Sequence, residues 1–534
     1  MENKYILCID LGTSGPKVSL VNMQGEVLMH EFEPTPMSFL PNGGAEQKPA
    51  DWWNAVKTAA KRLLARRLVP PQDIIAISAT SQWSTTVAVD KNGRPLMNAI
   101  SWMDTRGAKY IQEITDGLIK IEGYGVTKLL TWLNLTGGIP GHSGKDSIAH
   151  ILFIKNERPD IYRETYKFLE PKDYLNLEMT GIFASSFDVS LLLWATDNRD
   201  PNHIHYDPGL IKMVGVDLDK LPDLKQSTDI LGTLKPEVAA ELGLSNDVKV
   251  VSGTGDTQSA GIGSGAVKDY EAHLYLGTSS WLSCFVPKKG TDIDHNMAAV
   301  PSAIPGRYSI ANEQETAGAT LLHLRDSLIF PKDELETGTS LKIGTNTEDM
   351  LLVFDRIAER VPAGSDRVIF TPWLYGERTP VENSTVRGGF FNVSLHTKRE
   401  HLIRAVMEGV AYNARWLLQS VEHFTGHRLA AINMIGGGAQ ADIWCQIMAD
   451  VLDRSIRQMK DPIRANSRGA AYVALVGLGL MTFDDIHKNI AVNHVFEPNP
   501  AHRLIYDELF AEFLNIYKNN KSMYARLNRN RGNE

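Results

Sequence analysis

The tetrapeptide Leu-Gly-Thr-Ser occurs twice in the chain, and each copy follows a short apolar run that predicts a β-strand. The copies are Leu11–Ser14 and Leu276–Ser279, half a chain apart. A turn that leaves a strand through Gly, Thr and Ser presents backbone N–H groups and hydroxyls that suit phosphate oxygens. Because these residues are also common in ordinary turns, chance repetition is the competing interpretation. The repeat indicates two halves that grip one polyphosphate.

Two aspartates follow predicted strands. Asp10 directly precedes the first repeat, and a carboxylate beside phosphate repels it unless a divalent cation lies between, so Mg²⁺ is predicted at Asp10. Thr13, Ser14 and Lys17 are then expected to face the phosphates. Asp256, in a Gly-Thr-Gly-Asp-Thr turn, can accept the proton of a substrate hydroxyl during phosphoryl transfer. For both aspartates, a turn or cap without catalytic function is the alternative.

Aromatic and hydrogen-bonding residues alternate in two further segments, Ser81–Thr85 and Ser101–Arg106. Such surfaces hold polyols, because polar groups bind the hydroxyls while an aromatic plane covers the C–H face. Core tryptophans flanked by surface polar residues are the competing interpretation. The candidate substrate-binding residues are Gln82, Trp83, Ser84, Trp102 and Asp104.

Glycines at 436–438, followed by Ala439, connect a predicted strand to a predicted helix and would let a nucleotide approach the backbone closely. A simple connecting turn is the alternative. The segment Gly141–Asp146 looks like a P-loop, but Ile139 stands where its first glycine is required. Asp146 also stands where Ser or Thr should bind magnesium, so we reject a P-loop here.

Composition excludes several classes of function. Hydrophobic residues at 43% and charged residues at 22% describe an ordinary globular protein of more than one domain. The net charge of −8 provides no basic field, so neither nucleic acid nor a membrane is expected as a partner. Three cysteines in apolar stretches predict reduced core residues in a cytoplasmic protein, without disulfides or zinc.

The order of predicted elements indicates an α/β protein whose second half repeats the first. Long loops are predicted between Trp102 and Leu221, the glycine-rich run 253–265 is a candidate hinge or close backbone approach, and Asn519–Glu534 is predicted to fray. The predicted strands are Tyr5–Asp10, Lys17–Asn22, Glu26–Glu33, Ile74–Ser78, Val248–Ser252, Ala272–Leu276, Ser280–Val286 and Ala431–Ile435, and the predicted helices are Asp51–Arg67, Lys398–Phe424 and Asp442–Leu452.

Together these motifs resemble the FGGY carbohydrate kinases of the actin-like ATPase superfamily, over nearly the whole chain. The stretches that carry the resemblance are Asp10–Ser14, Trp102–Arg106, Gly255–Asp256, Leu276–Ser279, Gly376–Pro380 with Arg387–Gly388, Arg404–Ala411 and Gly436–Ala439. The resemblance implies two actin-like (ribonuclease H-like) domains, each a mixed sheet flanked by helices, around a deep cleft. The implied division is 1–262 for sugar and first phosphate loop, 263–490 for nucleotide, and 491–534 for a helical extension and tail.

The resemblance also implies roles for individual residues. Asp256 matches the catalytic base and, with Thr257, lies next to the substrate, while Asp10 matches the carboxylate near Mg²⁺. The nucleotide ATP is expected at the second loop and the glycine turn, where Asp442 departs from the Asn often found in the family. The implied nucleotide residues are Gly277, Thr278, Gly318, Gly438, Ala439 and Asp442.

The xylulokinase-like branch is the most similar part of the family, which makes D-xylulose the first expected substrate. Xylulokinases usually carry Met-His after the Gln of the first substrate loop, whereas this chain has Trp83-Ser84 after Gln82. Ribulose, glycerol, a tetrulose and a deoxyketose are therefore alternative substrates. A homodimer is the open alternative to a monomer. A non-catalytic actin-like nucleotide switch is the alternative of another class, although such a switch has no need of the substrate-like segments.

Overall fold

The computed structural model of the chain describes residues 4–329 and 347–528. The first half contains strands β1 Tyr5–Gly12, β2 Gly15–Asn22, β3 Val27–Phe32, β4 Ser38–Leu40, β5 Gly44–Gln47, β6 Ile74–Ser81, β7 Val87–Val89, β8 Ala99–Ile100, β9 Lys120–Ile121, β10 Tyr124–Gly125, β11 Lys167–Leu169, β12 Ala184–Ser186, β13 Thr196–Asp197, β14 His205–Tyr206, β15 Asp223–Lys225, β16 Ile230–Thr233 and β17 Lys249–Gly255. Its helices are α1 Pro49–Ala65, α2 Ala108–Thr115, α3 Val126–Leu135, α4 Ser147–Glu157, α5 Pro159–Glu164, α6 Pro171–Thr180, α7 Phe187–Ser190, α8 Pro208–Val214, α9 Pro236–Leu242 and α10 Asp256–Gly263.

The second half contains strands β18 Ala272–Leu276, β19 Ser280–Val286, β20 Gly290–Asp292, β21 Met297–Pro301, β22 Tyr308–Ala311, β23 Ile369–Thr371, β24 Gly389–Phe391, β25 Ala431–Ile435, β26 Ser455–Met459 and β27 Val492–Phe496. Its helices are α11 Gly318–His323, α12 Thr347–Arg360, α13 Arg399–Thr425, α14 Asp442–Leu452, α15 Ala465–Gly477 and α16 Arg503–Asn528. The strands and helices predicted from sequence are all present, with ends that shift by at most three residues.

The first sheet is mixed and has the strand order β16-β17-β6-β1-β2-β3. Strand β1 pairs antiparallel with β2 and parallel with β6, β6 is also parallel to β17, and the outer strands β3 and β16 are antiparallel to their neighbours. Residues 6–11 of β1 are all buried, which is typical of a strand covered on both faces. Helix α1 packs on one face through an apolar side that includes Trp52, Val56 and Leu63.

The second sheet repeats this topology over six of its eight strands, and β20 and β21 extend it beyond β22. Its order is β20-β21-β22-β19-β18-β25-β26-β27, in which β18 pairs antiparallel with β19 and parallel with β25. Strand β25 is parallel to β26, and β27 and β22 are antiparallel to their neighbours. Each Leu-Gly-Thr-Ser therefore lies at the turn between the first two strands of its own sheet. The predicted fold class, two α/β halves with mixed sheets flanked by helices, is confirmed.

Helices α10 and α15, which follow equivalent strands of the two sheets, cross each other between the halves. A Cβ atom built on Gly263 would lie 1.9 Å from the Ala465 carbonyl oxygen, and one built on Gly469 would lie 1.9 Å from the Ser259 carbonyl oxygen. Only residues without a side chain allow this approach. The predicted close backbone approach in the glycine-rich run is confirmed, and most of that run is helix α10.

Two sequence predictions about loops are wrong. The region between Trp102 and Leu221 contains seven α-helices, α2 to α8, around a buried cluster that includes Trp132 and Ile151, so apolar packing orders most of it. The segment that was expected to fray continues α16 to Asn528, because Tyr524 is buried and the Asn528 side-chain amide donates to the Thr385 carbonyl (2.9 Å). The remainder, 529–534, lies outside the described residues.

No helix within residues 4–329 and 347–528 combines the length and the hydrophobicity that crossing a bilayer requires. The three cysteines Cys8, Cys284 and Cys445 are buried free thiols, as predicted. The predicted domain boundaries at residues 262 and 490 stay predictions.

Candidate active site

Asp10 and Lys17 face each other across the hairpin that carries the first Leu-Gly-Thr-Ser. They are register partners on β1 and β2, with Lys17 Nζ 3.7 Å from Asp10 Oδ2. Asp10 is only 7% exposed, whereas Ser14 is exposed at the tip of the turn. The hairpin therefore places one buried carboxylate and one ammonium beside backbone N–H groups that could receive an anion.

The hydroxyl of Thr13 is committed to bonds within the protein. It donates to Gln82 Oε1 (2.8 Å) and accepts from Trp102 Nε1 (3.1 Å). The Gln47 side-chain amide donates to the Thr13 carbonyl (2.9 Å) and accepts from Gln82 Nε2 (3.0 Å). Thr13 thus ties the first turn to both substrate segments predicted from sequence. A phosphate contact at Thr13 would have to come from its backbone N–H.

Asp104 lies in a different setting from the one predicted. It is 1% exposed, and Arg106 donates to both carboxylate oxygens, with Nε 3.2 Å from Oδ1 and 2.9 Å from Oδ2. The backbone N–H of Ala45 donates to Oδ2 (2.9 Å), and Arg106 also pairs with Glu46 (2.7 Å). Because its lone pairs are occupied, Asp104 holds the segment that carries Trp102 and has no oxygen directed at a ligand. The interpretation of Asp104 as a substrate contact needs this correction.

We predict that Asp104→Asn lowers the midpoint of thermal unfolding by several degrees, because breaking a buried ion pair costs about 3–5 kcal/mol. Differential scanning fluorimetry measures this shift. Asp160→Asn is the matched control, since its pair with Arg163 is exposed on both sides and surface pairs contribute about 0–1 kcal/mol. Equal small shifts in the two variants would contradict a structural role for Asp104.

Trp83 and Ser84 also form hydrogen bonds within the protein. Ser84 has φ of 57°, and its hydroxyl donates to the Lys145 carbonyl (2.5 Å). Trp83 is partly buried, with its indole N–H 3.4 Å from the Val189 carbonyl. Ser84 therefore fixes the position of Lys145, and a hydroxyl contact to sugar at Ser84 would require this bond to break.

Asp256 is the first residue of α10 and faces Asp10 from the opposite side of β6. The backbone N–H of Thr257 donates to Asp256 Oδ1 (2.8 Å). Burial, and then the charges of Asp10 and Glu313, raise the pKa of Asp256 to about 7. Carboxylates with pKa values near neutrality are suited to proton transfer. Because Glu313 belongs to the second half, charged groups from both halves act on the pKa of Asp256.

The start of α10 is held by a residue that sequence reasoning missed. Asp188 is 1% exposed, and its Oδ2 accepts from the Thr254 hydroxyl (2.5 Å) and the Gly255 backbone N–H (2.9 Å). Its other oxygen has no partner among the described residues. No motif surrounds Asp188, so only the fold reveals that it supports the residue before Asp256.

The second Leu-Gly-Thr-Ser turn meets the start of α11. The Gly277 carbonyl accepts from the Gly318 backbone N–H (2.8 Å), and the Thr278 carbonyl accepts from the backbone N–H of Ala317 (2.8 Å). A Cβ atom on Gly318 would lie 2.6 Å from the Gly277 oxygen. Gly277, Thr278 and Gly318 are therefore brought together, and Thr278 is exposed.

The glycine turn at 436–438 packs against β18, the strand that leads into the second Leu-Gly-Thr-Ser turn. Gly436 has φ of 89°, and Cβ atoms on Gly436 and Gly438 would lie 2.6 Å and 2.4 Å from atoms of Leu276. Ala439 is fully buried and its carbonyl accepts from Gln458 (2.9 Å), whereas Asp442 accepts from the same amide (2.9 Å). A nucleotide could reach the glycines of this turn, but the Ala439 side chain is covered.

The residues present fit Mg²⁺ only as a partner shared with phosphates. Within residues 4–329 and 347–528, no three His, Cys, Asp or Glu side chains are grouped to hold a metal. Mg²⁺ is usually held by one or two carboxylates, several waters and substrate phosphates, so Asp10 alone can supply the protein's part. The repulsion between Asp10 and Asp256 is what a cation there would relieve.

Charged residues from both halves meet at one side of this site, and the sequence predictions did not include them. Arg378 donates to Glu313 (2.5 Å) and Glu315 (2.8 Å) of its own half. The charges of all three act on the partly buried Lys145 of the other half. Lys145 Nζ has no hydrogen bond or ion pair with the residues that the structure describes. The fold is needed to find this group, because 168 or more positions separate Lys145 from the other three members.

Comparison with known proteins agrees with this architecture. Residues 5–263 match the N-terminal domain of the FGGY family of carbohydrate kinases, and residues 272–478 match its C-terminal domain. A Staphylococcus epidermidis protein named xylulose kinase is 30% identical over 532 residues, 99% of each chain. A Bacillus subtilis gluconokinase is 27% identical over 524 residues, covering 98% of this chain and 97% of the relative.

A solved structure shows the same fold. The ligand-bound xylulose kinase from Lactobacillus acidophilus superposes with a TM-score of 0.84, at 23% identity, over 98% of this chain and 100% of that one. The two mixed sheets of this chain therefore form a fold that is known from a solved structure. The chain belongs to the FGGY family of carbohydrate kinases, and it is a sugar kinase. The alternative of a non-catalytic nucleotide switch is thereby set aside.

Proposed function

We propose that this kinase transfers the γ-phosphoryl group of ATP to a primary hydroxyl of a ketopentose, with D-xylulose as the first candidate. The observation that carries the proposal is that Asp10, beside the first Leu-Gly-Thr-Ser turn, and Glu313, from the second half, both act through their charges on Asp256. Relatives named xylulose kinase align over nearly the whole chain, which supports the choice of sugar.

In this proposal Asp256 acts as the general base. A substrate oxygen forms a bond to the γ-phosphorus while the bond from that phosphorus to the β,γ-bridging oxygen breaks, and ADP leaves. The hydroxyl proton passes to Asp256, whose raised pKa matches this task. Lys17 and the N–H groups of both turns position the phosphates, which is most of what phosphoryl transfer requires. Mg²⁺ at Asp10 would offset the charge of the phosphates.

The sugar is proposed to lie beside Gln82, Trp83 and Trp102, where the first turn is tied to the substrate segments. The Thr13 bonds to Gln82 and Trp102 make sugar and phosphate positions mutually dependent. Such coupling is useful in a kinase, because a small displacement of either reactant from the attack geometry costs much of the rate.

A second candidate substrate is an aldonate such as gluconate. Lys145 carries an ammonium that is partly buried beside the Glu313, Arg378 and Glu315 group and lacks a partner among the described residues. Because burying an unpaired charge is costly, a ligand that supplies an anion there gains affinity. The alignment with gluconokinases supports this option.

A coupled ADP-release screen across D-xylulose, D-ribulose, glycerol, erythrulose, a deoxyketose and D-gluconate tests the substrate. We expect D-xylulose to give the highest kcat/KM of the set. A preference for gluconate that Lys145→Met abolishes, with Lys212→Met at an exposed position of α8 as the matched control, would establish the second candidate instead. ATP turnover that no sugar in the set increases would contradict both.

A further inference from the structure

Tyr275 lies against the second Leu-Gly-Thr-Ser turn in a way that the sequence predictions did not include. It stands in β18, two residues before Gly277. A Cβ atom on Gly277 would lie 2.4 Å from Cε1 of the Tyr275 ring and 2.6 Å from its hydroxyl oxygen. The absence of a side chain at Gly277 therefore makes room for the phenol, whose hydroxyl lies directly over the backbone of this turn.

The ring of Tyr275 is held in this position from behind. Trp281, its register partner on β19, stacks on it with ring centroids 3.9 Å apart and planes inclined by 7°. The indole N–H of Trp281 donates to His273 Nε2 (3.3 Å). Burial lowers the pKa of His273 to about 4, so that its ring is neutral and can accept this bond. Tyr275 is thus one end of a fixed aromatic row.

The charges of the two carboxylates of the site act on the Tyr275 phenol. After burial, the charges of Asp10 and Asp256 are the groups that raise the pKa of Tyr275, to about 12. The phenol consequently keeps its proton at neutral pH and is a hydrogen-bond donor. Tyr275 is only partly buried, and its hydroxyl makes no hydrogen bond within residues 4–329 and 347–528.

We propose that Tyr275 is a catalytic residue whose hydroxyl donates a hydrogen bond to the phosphoryl group in transfer. The geometry supports this because the hydroxyl lies over the second Leu-Gly-Thr-Ser turn, which is proposed to hold phosphate, and close enough to Asp10 and Asp256 for their charges to act on it. A neutral donor there adds stabilisation without introducing another charge. The inference rests on the proposed phosphoryl transfer but not on which sugar receives the group.

Tyr275→Phe is the test, because it removes the hydroxyl and keeps the ring that packs on Trp281 and Gly277. We expect kcat to fall about 10- to 150-fold, the range for a hydrogen bond to a charged group, with KM for sugar within about threefold. Tyr412→Phe is the matched control, since the Tyr412 hydroxyl is buried without a partner in the described part of the chain and far along the sequence from the turns. It should leave kcat unchanged.

A binding measurement separates this inference from the choice of substrate. ADP with aluminium fluoride imitates the transferring phosphoryl group, and Tyr275→Phe should weaken its binding by the same factor while binding of ADP alone stays unchanged. Equal binding of the fluoride complex by wild type and variant would overturn the proposal, whichever sugar is the substrate. An increase of kcat in Tyr275→Ala would also overturn it, because Tyr275 would then be an obstacle over the turn.

Discussion

Replacing Asp256 by Asn is expected to lower kcat by about 10²–10⁴-fold, the range attributed to general acid–base catalysis. Asn keeps the size of the side chain and the start of α10, but it cannot take the proton of the attacking hydroxyl. KM for sugar should change little, since the loss falls on the transition state. A steady-state coupled assay measures this change in kcat.

The same substitution should not destabilise the protein, which distinguishes lost chemistry from lost structure. The folded state raises the pKa of Asp256 to about 7, so it retains a proton that the unfolded chain releases near pH 4. Ionisation therefore costs stability progressively as pH rises from about 4 to about 7, and the full cost applies above that range. In EDTA at pH 8, Asp256→Asn should unfold at or above the wild-type midpoint, with the difference vanishing below pH 4. Near-normal kcat in this variant would remove Asp256 from the role of base.

The elements that follow from local patterns could be predicted from the sequence. Apolar runs such as Ala272–Leu276 and Ala431–Ile435 have the same bounds in the structure as in the prediction. The repeated Leu-Gly-Thr-Ser indicated duplication because turn chemistry is local, and the equivalent strand orders of the two sheets confirm it. The family resemblance supplied the roles of Asp10 and Asp256 in one site, which the effect of the Asp10 charge on Asp256 supports.

The hydrogen bonds of the candidate site residues could not be predicted, because they depend on partners far away along the chain. Asp104 looked like a ligand because the local sequence does not show that Arg106 and the Ala45 N–H occupy its oxygens, or that Glu46 holds Arg106 in place. Ser84 looked free because its acceptor is the carbonyl of Lys145.

The prediction that the last segment frays was wrong for the same reason. Polar composition gives no sign that the Asn528 amide reaches Thr385. Tyr275 was not selected from the sequence, because an aromatic residue in a strand is ordinarily part of the core. Only the close approach of its ring to Gly277 reveals where its hydroxyl lies.

The crossing of α10 and α15 is the place where one methyl group should affect both stability and turnover. Ser259 donates its hydroxyl to the Asn466 carbonyl (2.8 Å), and Arg468 Nε donates to the Gly263 carbonyl (2.7 Å), so the two helices are fastened where their backbones are closest. A Cβ atom on Gly469 would lie 1.9 Å from the Ser259 carbonyl oxygen. Since backbone atoms cannot rotate away, the helices must separate.

Gly469→Ala is therefore expected to lower kcat by about 10²-fold, because α10 begins with Asp256 and a displacement near 1 Å at the base costs that much. Overpacking should also reduce the free energy of unfolding by about 1–3 kcal/mol. Gly389→Ala is the matched control, since the nearest atom to its Cβ is 3.7 Å away. Coupled assays and thermal unfolding of both variants give the comparison. If Gly469→Ala kept wild-type kcat while losing stability, α10 would be free to move without carrying Asp256 out of position, and the crossing would be structural only.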